Sequence, residues 1–386
     1  MCKCGNWRWK FWGSGRTKPM PTPRPKCRRN SPPPFNTVKK TLKWQTTFGW
    51  IAVEEAQWRL GRRGPVLRPF CARAGVRPRG RSRRLERALV DFGAEESFAR
   101  AAARVREHYG LDVAAEMVRQ QTLTHGAQLS ALTVAPPKHA ATVLITQLDG
   151  SMIPIVVPPT TGADRRQGKQ LLWREARLCL ARPQASATPC YGATLGSVAV
   201  AGTLWRATAQ AAGLGERTQV QGVGDGAPWI LAQFQEQFGA QGDYLVDFYH
   251  VSEYLAAAAT VIQPKQPEVW RRRQQGRLLK NQGGVVLRAL ASHREPEGTP
   301  QAPVRAAHRY LSERRAHLDY AGAVAAGRDI GSGEIESGHR HVIQQRLKLA
   351  GSWWKEASAE AMLGLRVARA NQLWQRYWAA PQLARN

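Results

Sequence analysis

Acidic residues are scarce in this chain. Its 386 residues include 28 Asp and Glu against 57 Lys and Arg, which gives a formal net charge of +29. A chain with this excess repels itself and needs a polyanionic partner or an acidic surface. We expect nucleic acid to be that partner, and a membrane surface is the weaker alternative. The excess is concentrated in residues 1–84, where 22 Lys and Arg stand against only Glu54 and Glu55.

Long hydrophobic runs are also missing. The longest apolar stretch, Tyr254–Ile262, is short and rich in alanine, whereas a membrane span needs about 20 apolar residues. The basic residues after Met1 are not followed by an apolar segment, which argues against a secretory signal. The 386 residues are enough for two or three domains, and because 43% of them are hydrophobic, most of the chain should be globular. We expect a cytoplasmic protein without a membrane partner.

Cysteine is rare, and its six positions do not have the spacing of a disulfide framework. This usage predicts a reducing compartment. Cys2 and Cys4 could form a zinc site with Cys27 or Cys71, although their CKC spacing lacks the usual CxxC pair. The alternative is a set of free thiols on a flexible arm.

Composition divides the N-terminal third into three segments. Proline-rich stretches such as PMPTPRPK and SPPPF predict that residues 1–45 are a disordered basic tail. Residues 46–84 are predicted to be a basic linker or a small irregular subdomain. Residues 85–130 have helical periodicity, with a first helix closed by Gly93 and a second closed by Gly110. In a basic chain this pattern is typical of a helix-turn-helix DNA-binding region, and a generic helical bundle would produce it too.

Strands and helices alternate from residue 140 onward, which predicts an α/β fold. The stretch ATVLITQLDGSMIPIVVPP predicts two strands joined by a turn at Asp149–Gly150. RTQVQGVGD predicts a strand ending at Asp225, and DYLVDF predicts another ending near Asp247. Residues 140–263 are therefore assigned to the first part of a core. Two further segments complete the prediction, a basic helical insertion (264–325) and C-terminal helices that finish the core (326–380).

The stretch GVGDGAPWI fits two different kinds of site. Gly222, Gly224 and Ala227 satisfy the dinucleotide-binding pattern G-x-G-x-x-G/A, and Asp247 follows at the end of the next strand. However, Asp225 would bring a carboxylate beside the pyrophosphate, where backbone N–H groups are needed. An oxidoreductase with a nucleotide cofactor is therefore a distant alternative, and we expect no such cofactor.

The same aspartate suits metal-dependent phosphoryl transfer, which uses carboxylates around two Mg²⁺ ions. Asp149, Asp225 and Glu336 all lie in Gly- or Ser-rich turns at the ends of predicted strands or at the start of a helix. Asp149 alone also fits an ordinary DG turn. Glu334 is the alternative to Glu336 as the third metal-binding carboxylate.

Four segments, taken in order, resemble a known family. LDGS, GDGAPWI, DFYHVSEYL and GSGEIESGHRHVIQQRLKLAGSWW together resemble the DDE transposases of ISKra-type bacterial insertion sequences. They are more distantly similar to Mutator-like transposases. The upstream stretch LERALVDFGAEESFARAAARVREHYG resembles the helical N-terminal region of the same group. The resemblance spans roughly Arg84 to Trp378.

This resemblance implies an RNase H-like catalytic core with an all-helical insertion. Asp149, Asp225 and Glu336 would hold Mg²⁺, for which Mn²⁺ can substitute. The implied activity is DNA transposition: a strand is cut at the end of the mobile element, and the freed 3′-OH attacks target DNA. The expected partners are DNA and further copies of the chain on paired ends, in the cytoplasm of a bacterium and on its nucleoid.

Further residues are predicted to support this activity. Asp247 and His250 match the C/D-x-x-H signature of related transposases, and a core histidine is the alternative for His250. Predicted DNA contacts are the polar stripe one, two and three turns after Glu336 and the end of the basic linker, namely Arg340, Gln344, Lys348, Arg81, Arg83 and Arg84. The stripe fits a solvated helix face as well. A degenerate copy that binds DNA without cutting it is the main alternative function.

Overall fold

The computed structural model describes residues 35–60, 64–74, 80–159 and 168–380. The chain divides into two compact units. The described part of the first comprises residues 35–41, 54–60 and 64–70. The second holds everything else that is described, including the whole of the larger sheet and nearly all helices.

A small sheet precedes the helices. It has three strands in the order β1 (Phe35–Thr46), β2 (Gly49–Leu60) and β3 (Val66–Leu67), followed by helix α1 (Pro69–Ala74). Strand β1 begins inside the range 1–45 that composition assigns to a disordered tail. The reason is local, because the prolines end at Pro34 and the following NTVKKTLKWQT is proline-free and rich in β-branched and aromatic residues.

Three helices follow, α2 (Arg83–Glu95), α3 (Phe98–Tyr109) and α4 (Ala115–Leu129). Ser97 caps α3 at its N-terminus, and Gly110 ends it in the left-handed conformation (φ 65°), as predicted. Gly93, in contrast, does not close α2 but lies inside it. A Cβ at Gly93 would overlap with Thr122 of α4. Glycine is therefore needed there for close packing of two helices and not for a helix end.

The larger sheet has five strands: β4 (Val143–Val157), β5 (Gln170–Pro183), β6 (Cys190–Thr194), β7 (Gln219–Gly224) and β8 (Gly242–Val246). Their order is β6-β5-β4-β7-β8. Strands β4, β5 and β6 are antiparallel neighbours, whereas β7 and β8 extend the sheet parallel to β4. The mixed sheet with its connecting helices confirms an α/β fold.

Strand β4 corrects the predicted hairpin at Asp149–Gly150. The strand runs through both residues and pairs with β5 from Leu144, opposite Pro183, to Val157, opposite Gln170. A DG pair forms a two-residue hairpin only when the strands beside it pair with each other. Here the segments before and after Asp149 both pair with β5 instead, so the chain has no reason to turn.

Helices cover the sheet and form the insertion. Helix α5 (Val198–Ala211) follows β6, α6 (Pro228–Phe238) follows β7, and α7 (Phe248–Ile262) follows β8. Within residues 264–325 the structure is helical, with α8 (Pro267–Leu278), α9 (Gly283–Ala291), α10 (Pro303–Glu313) and α11 (Tyr320–Ala325). One continuous apolar core joins the sheet to these helices and contains Trp205, Phe234 and Tyr310.

The C-terminal part is a broken series of helices. It comprises α12 (Gly333–Gly338), a π-helical segment (His339–Gln344), α13 (Gln345–Leu347), α14 (Glu356–Ala370) and α15 (Trp374–Ala379). Helix α14 packs so closely on α4 that a Cβ at Gly126 would overlap with the Ala361 carbonyl. Helices α2–α4 thus pack on the C-terminal part of the core. Throughout the described ranges, every helix falls short of the length and apolar character that crossing a bilayer requires.

Candidate metal and phosphate site

Asp149 lies where one edge of β4 is left open. Strand β7 pairs with β4 only over Val143–Thr146. Further along β4, Ile155 forms an isolated β-bridge with Trp354. Between these two points helix α12 packs over β4 and β5, and the Ile335 N–H donates to the Gln147 side chain (2.8 Å). The Asp149 side chain is 41% exposed in this gap. The carboxylate therefore remains accessible in mid-strand, beyond the point where the pairing with β7 has ended.

Asp225 directly follows β7 in a loop held by the helical insertion. Its Oδ1 accepts from the Ala227 N–H (2.8 Å). The Tyr310 hydroxyl donates to its backbone carbonyl, and Arg314 Nε donates to the next carbonyl, that of Gly226 (2.9 Å). Gly226 has φ 68°, a left-handed conformation in which a residue with a side chain would be strained. Helix α10 therefore fixes the turn that presents Asp225.

The two aspartates act on the same buried phenol. Burial raises the pKa of Tyr244 above its ordinary value, and the negative charges of Asp225 and Asp149 raise it further. Tyr244 also explains the second glycine of GVGDG, since a Cβ at Gly224 would lie 2.6 Å from its hydroxyl. Asp149 and Asp225 therefore both lie near enough to Tyr244 for their charges to act on it.

Asp247 binds the protein with both carboxylate oxygens. It caps α7, and its Oδ1 accepts from the N–H groups of Tyr249 (2.6 Å) and His250 (3.0 Å). Its Oδ2 accepts from the Ser332 N–H (2.6 Å) and the Ser332 hydroxyl. The side chain is buried and joins the end of β8 to the turn before α12. Asp247 thus positions the helix that carries Glu336.

Glu334 and Glu336 differ in their partners. Arg182 Nε donates to both oxygens of Glu334 (2.7 and 2.9 Å), and Arg182 also binds Asp329. Glu336 is exposed on the same short helix. A carboxylate already held by a buried arginine makes a poor metal ligand, so this contrast favours Glu336 for the third position.

Glu336 stands between two cavities. One, of about 280 Å³, is lined by Asp149, Gly150, Ser151, Glu336, His339, Arg340 and Gln344. The other, of about 630 Å³, also includes Glu336 in its lining, together with Arg182, Tyr249 and Arg328. Asp149, Glu336 and the first two members of the polar stripe therefore face one space. Lys348 is exposed but does not line either cavity.

His339 was missed by sequence reasoning. It is 3% exposed, and its Nε2 lies 3.2 Å from Asp149 Oδ2. Neither ring nitrogen makes a hydrogen bond among the described residues, so only a protonated imidazole would form an ion pair with Asp149. A histidine in a π-helical segment after ESG carries no local signal of this role. Arg182, Tyr310 and Arg314 were missed for the same reason, since each acts across a long stretch of sequence.

The donor set suits a hard divalent cation, because carboxylate oxygens are the ligands that Mg²⁺ prefers. Asp149 and Glu336 share a cavity, and Asp225 begins the loop after β7 without lining that cavity. The described residues do not, however, contain three or more His, Cys, Asp or Glu side chains grouped closely enough to hold a metal ion. The chemistry of these carboxylates suits Mg²⁺, but within the described residues the structure does not bring three of them close enough together to hold it.

The other predicted residues have varied surroundings. His250 pairs with Glu253 (3.5 Å) and packs edge-on against Tyr310, so it supports the Asp225 loop indirectly. Arg83 donates to the carbonyls of Tyr377 (2.6 Å) and Trp378 (3.3 Å), which occupies it at the end of α15. Arg81 Nε approaches the sulfur of Met117 (3.2 Å).

Arg84 is exposed, and it differs in this from Arg83. Cys71 lies buried in α1, while its possible zinc partners Cys2, Cys4 and Cys27 fall outside the described residues. The predicted dinucleotide pattern has its glycines in the wrong place, because Gly222 and Gly224 lie within β7 and not in the turn after it.

Comparison with known proteins brings no assignment: neither protein-family models nor curated proteins match this chain.

Proposed function

We propose that this chain is a DNA transposase of the DDE type that cuts and joins DNA strands with Mg²⁺. One observation carries the proposal. Asp149 and Glu336 line a common cavity with Arg340 and Gln344, and Asp225 begins the loop at the end of the adjacent parallel strand. Two carboxylates would help to hold a metal ion, and the cationic and amide side chains beside them would bind a phosphate.

The sheet supports an RNase H-like assignment of this core. Its first three strands in chain order are antiparallel neighbours, and the next two continue the sheet in parallel on the far side of the first. This order brings the middle of β4 next to the end of β7. A carboxylate on each strand is then a rigid way to approach one phosphate from two sides.

Each residue has a distinct role in the proposed reaction. Asp149, Asp225 and Glu336 would hold the metal, which stabilises charge on the attacking and leaving oxygens when bound. Arg340 and Gln344 orient the scissile phosphate. Arg182 holds Glu334 away from the cation, and Asp247 fixes the start of α12. DNA and further copies of this chain are the proposed partners.

The test is strand cleavage of a supercoiled plasmid that carries the DNA flanking this gene, in Mg²⁺ and in Mn²⁺. The native chain should nick or linearise the plasmid, and Asp225→Asn should reduce the rate at least about a thousandfold, because one metal ligand loses its charge. Chelation should abolish the native activity. Equal activity in both chains would reject the assigned site.

A matched pair of variants tests the third carboxylate. Glu336→Gln should abolish cleavage while leaving the unfolding temperature unchanged, since the side chain is exposed. Glu334→Gln should leave cleavage within a few-fold of native but lower the stability by about 1–3 kcal/mol, because Arg182 loses a charged partner. The opposite result would assign Glu334 to the metal.

A degenerate DNA-binding protein is the second candidate. The net charge of +29 favours it over an oxidoreductase, because a polyanion is the partner that such a charge requires whether or not the chain cuts DNA. Its signature would be salt-sensitive DNA binding with no cleavage by the native chain in either metal.

A further inference from the structure

A third cavity, of about 530 Å³, shares no lining residue with the two beside Glu336. It lies at the start of α3 and the start of α14, where the loop Gly351–Lys355 joins the edge of β4. Its polar wall includes Ser97, Ser352 and Ser358. Nothing in the proposed reaction uses this cavity.

Arg346 forms part of its wall and is 2% exposed. Its guanidinium lies between two rings, 4.6 Å from the centroid of Phe98 and 4.9 Å from that of Trp354. Nε donates to the Gly93 carbonyl (2.9 Å), but Nη2 has no hydrogen-bond partner in the part of the chain that the structure describes. A buried charged group with an unused donor costs free energy unless a ligand satisfies it.

Positive charge predominates around Arg346. Burial and the nearby charge of Arg366 lower the pKa of Arg346 to about 10, against the opposing effect of Glu95. Arg119 and Lys355 add two cations to the cavity wall, and the carboxylate of Glu116 in the same wall is bound by Arg119 (2.6 Å). The cavity therefore has a net positive charge.

The start of α14 adds backbone donors. This helix of 15 residues has Lys355 as its N-cap, which makes no side-chain capping bond. The first N–H groups of a helix lack intrahelical partners, and the helix dipole favours an anion beside them. Ser358, in the first turn, lines the same cavity.

Two exposed tryptophans lie side by side, and one of them lines the cavity. Trp353 lines the cavity and is 42% exposed, and Trp173 is 60% exposed with its ring centroid 6.3 Å from that of Trp353. Exposed indoles beside a cationic pocket are typical of proteins on which unpaired bases stack.

We propose that this cavity binds a backbone phosphate of DNA and that Trp353 stacks on an adjacent unpaired base. Lys355 and the start of α14 bind the phosphate, the charge of the buried Arg346 attracts it from within the cavity wall, and the indole binds the nucleobase. The choice of DNA as the source of the phosphate rests on the proposed function. The anion pocket itself rests only on the unsatisfied arginine, the charge and the uncapped helix.

The experiment measures binding of the full chain to two probes, inorganic phosphate by calorimetry and a labelled single-stranded oligonucleotide by fluorescence anisotropy. Lys355→Glu and Trp353→Ala should each weaken oligonucleotide binding about tenfold. Lys355→Glu should also weaken phosphate binding, whereas Trp353→Ala should not. Both side chains are exposed, so the fold is expected to persist.

Two controls keep the result specific. Arg273→Glu reverses an exposed charge on α8, away from the cavity lining, and should change oligonucleotide binding less than about threefold. Trp353→Phe keeps a ring for stacking and should restore most of the binding that Trp353→Ala removes.

The possible outcomes separate this proposal from the proposed function. Weaker oligonucleotide binding in Lys355→Glu and Trp353→Ala supports the pocket even if the native chain never cuts DNA. Equal weakening in Arg273→Glu reduces the effect to overall charge and overturns the proposal. Phosphate binding with unaltered oligonucleotide binding in both variants also overturns it, because the ligand is then a free anion. Either negative result leaves the cleavage test with Asp225→Asn untouched.

Discussion

Asp225 and Asp247 follow neighbouring parallel strands, yet their carboxylates have different partners. Asp247 is buried and accepts from four donors on two segments, which leaves it no free lone-pair direction for a metal. Asp225 is half-buried, and its backbone is held by Tyr310. The difference gives Asp247 a positioning role and leaves Asp225 as a candidate for the proposed chemistry. Their sequence contexts alone do not reveal it.

The reactivity of the Cys179 thiol tests the burial of a single residue. Burial raises the pKa of Cys179 to about 12, against the opposing effect of a hydrogen bond with Thr208. At pH 8 only about one thiol in ten thousand is then ionised, and the thiolate is the nucleophile. We expect iodoacetamide to leave Cys179 unmodified in the native chain, as read by peptide mass spectrometry. Modification at equal rates in native and urea-unfolded chains would contradict this burial.

Glycines in the helices occupy two kinds of position, one in a close contact between helices and one without such a contact. Gly126 lies where α4 meets α14, and Gly93 where α2 meets α4, and neither has room for a side chain. A Cβ added at Gly276 in α8 would meet no other atom of the described residues within 4 Å. The first kind exists for packing, whereas the last only adds flexibility to the unfolded chain.

Gly126→Ala and Gly276→Ala should therefore shift stability in opposite directions. The first forces α4 away from a backbone carbonyl and should cost about 1–3 kcal/mol. The second should stabilise by about 0.5–1 kcal/mol through helix propensity and lower unfolded-state entropy. Urea unfolding of the two variants measures both. A stabilised Gly126→Ala chain would show that α4 and α14 are not closely packed.

At the scale of the whole molecule, charge is the dominant property. The described acids are often bound by arginines of the chain itself, such as Glu96 by Arg104, Asp91 by Arg369 and Glu334 by Arg182. The remaining cations outnumber the acids, as the net charge of +29 requires. Binding to a polyanion should then depend strongly on counterion release.

Oligonucleotide affinity measured between 50 and 200 mM salt should fall steeply on a double-logarithmic plot. The double variant Arg340→Gln/Lys348→Gln should reduce the slope by about 2, because two phosphates are then no longer neutralised by the protein. Arg83→Gln, whose native side chain binds carbonyls of α15, should instead lower stability and leave the slope nearly unchanged. An unchanged slope in the double variant would reject the polar stripe as a phosphate-binding surface.

Much of the local structure is predictable because its causes are local. Ser97 and Gly110 bracket α3 through capping and a left-handed residue, and Pro228 opens α6. The alternation of strands and helices from Val143 onward predicts the α/β class. These signals act over a few residues and are largely insensitive to what packs against them.

The sequence by itself determined the charge, the α/β alternation and the three candidate carboxylates as residues set in turns or at helix starts. The tertiary structure decided which of those turns exist, because pairing with β5 keeps β4 straight through Asp149. It also decided which carboxylate is free, because Arg182 binds Glu334 and leaves Glu336 exposed. Partners distant along the chain set both outcomes, and no short stretch of sequence encodes a distant partner.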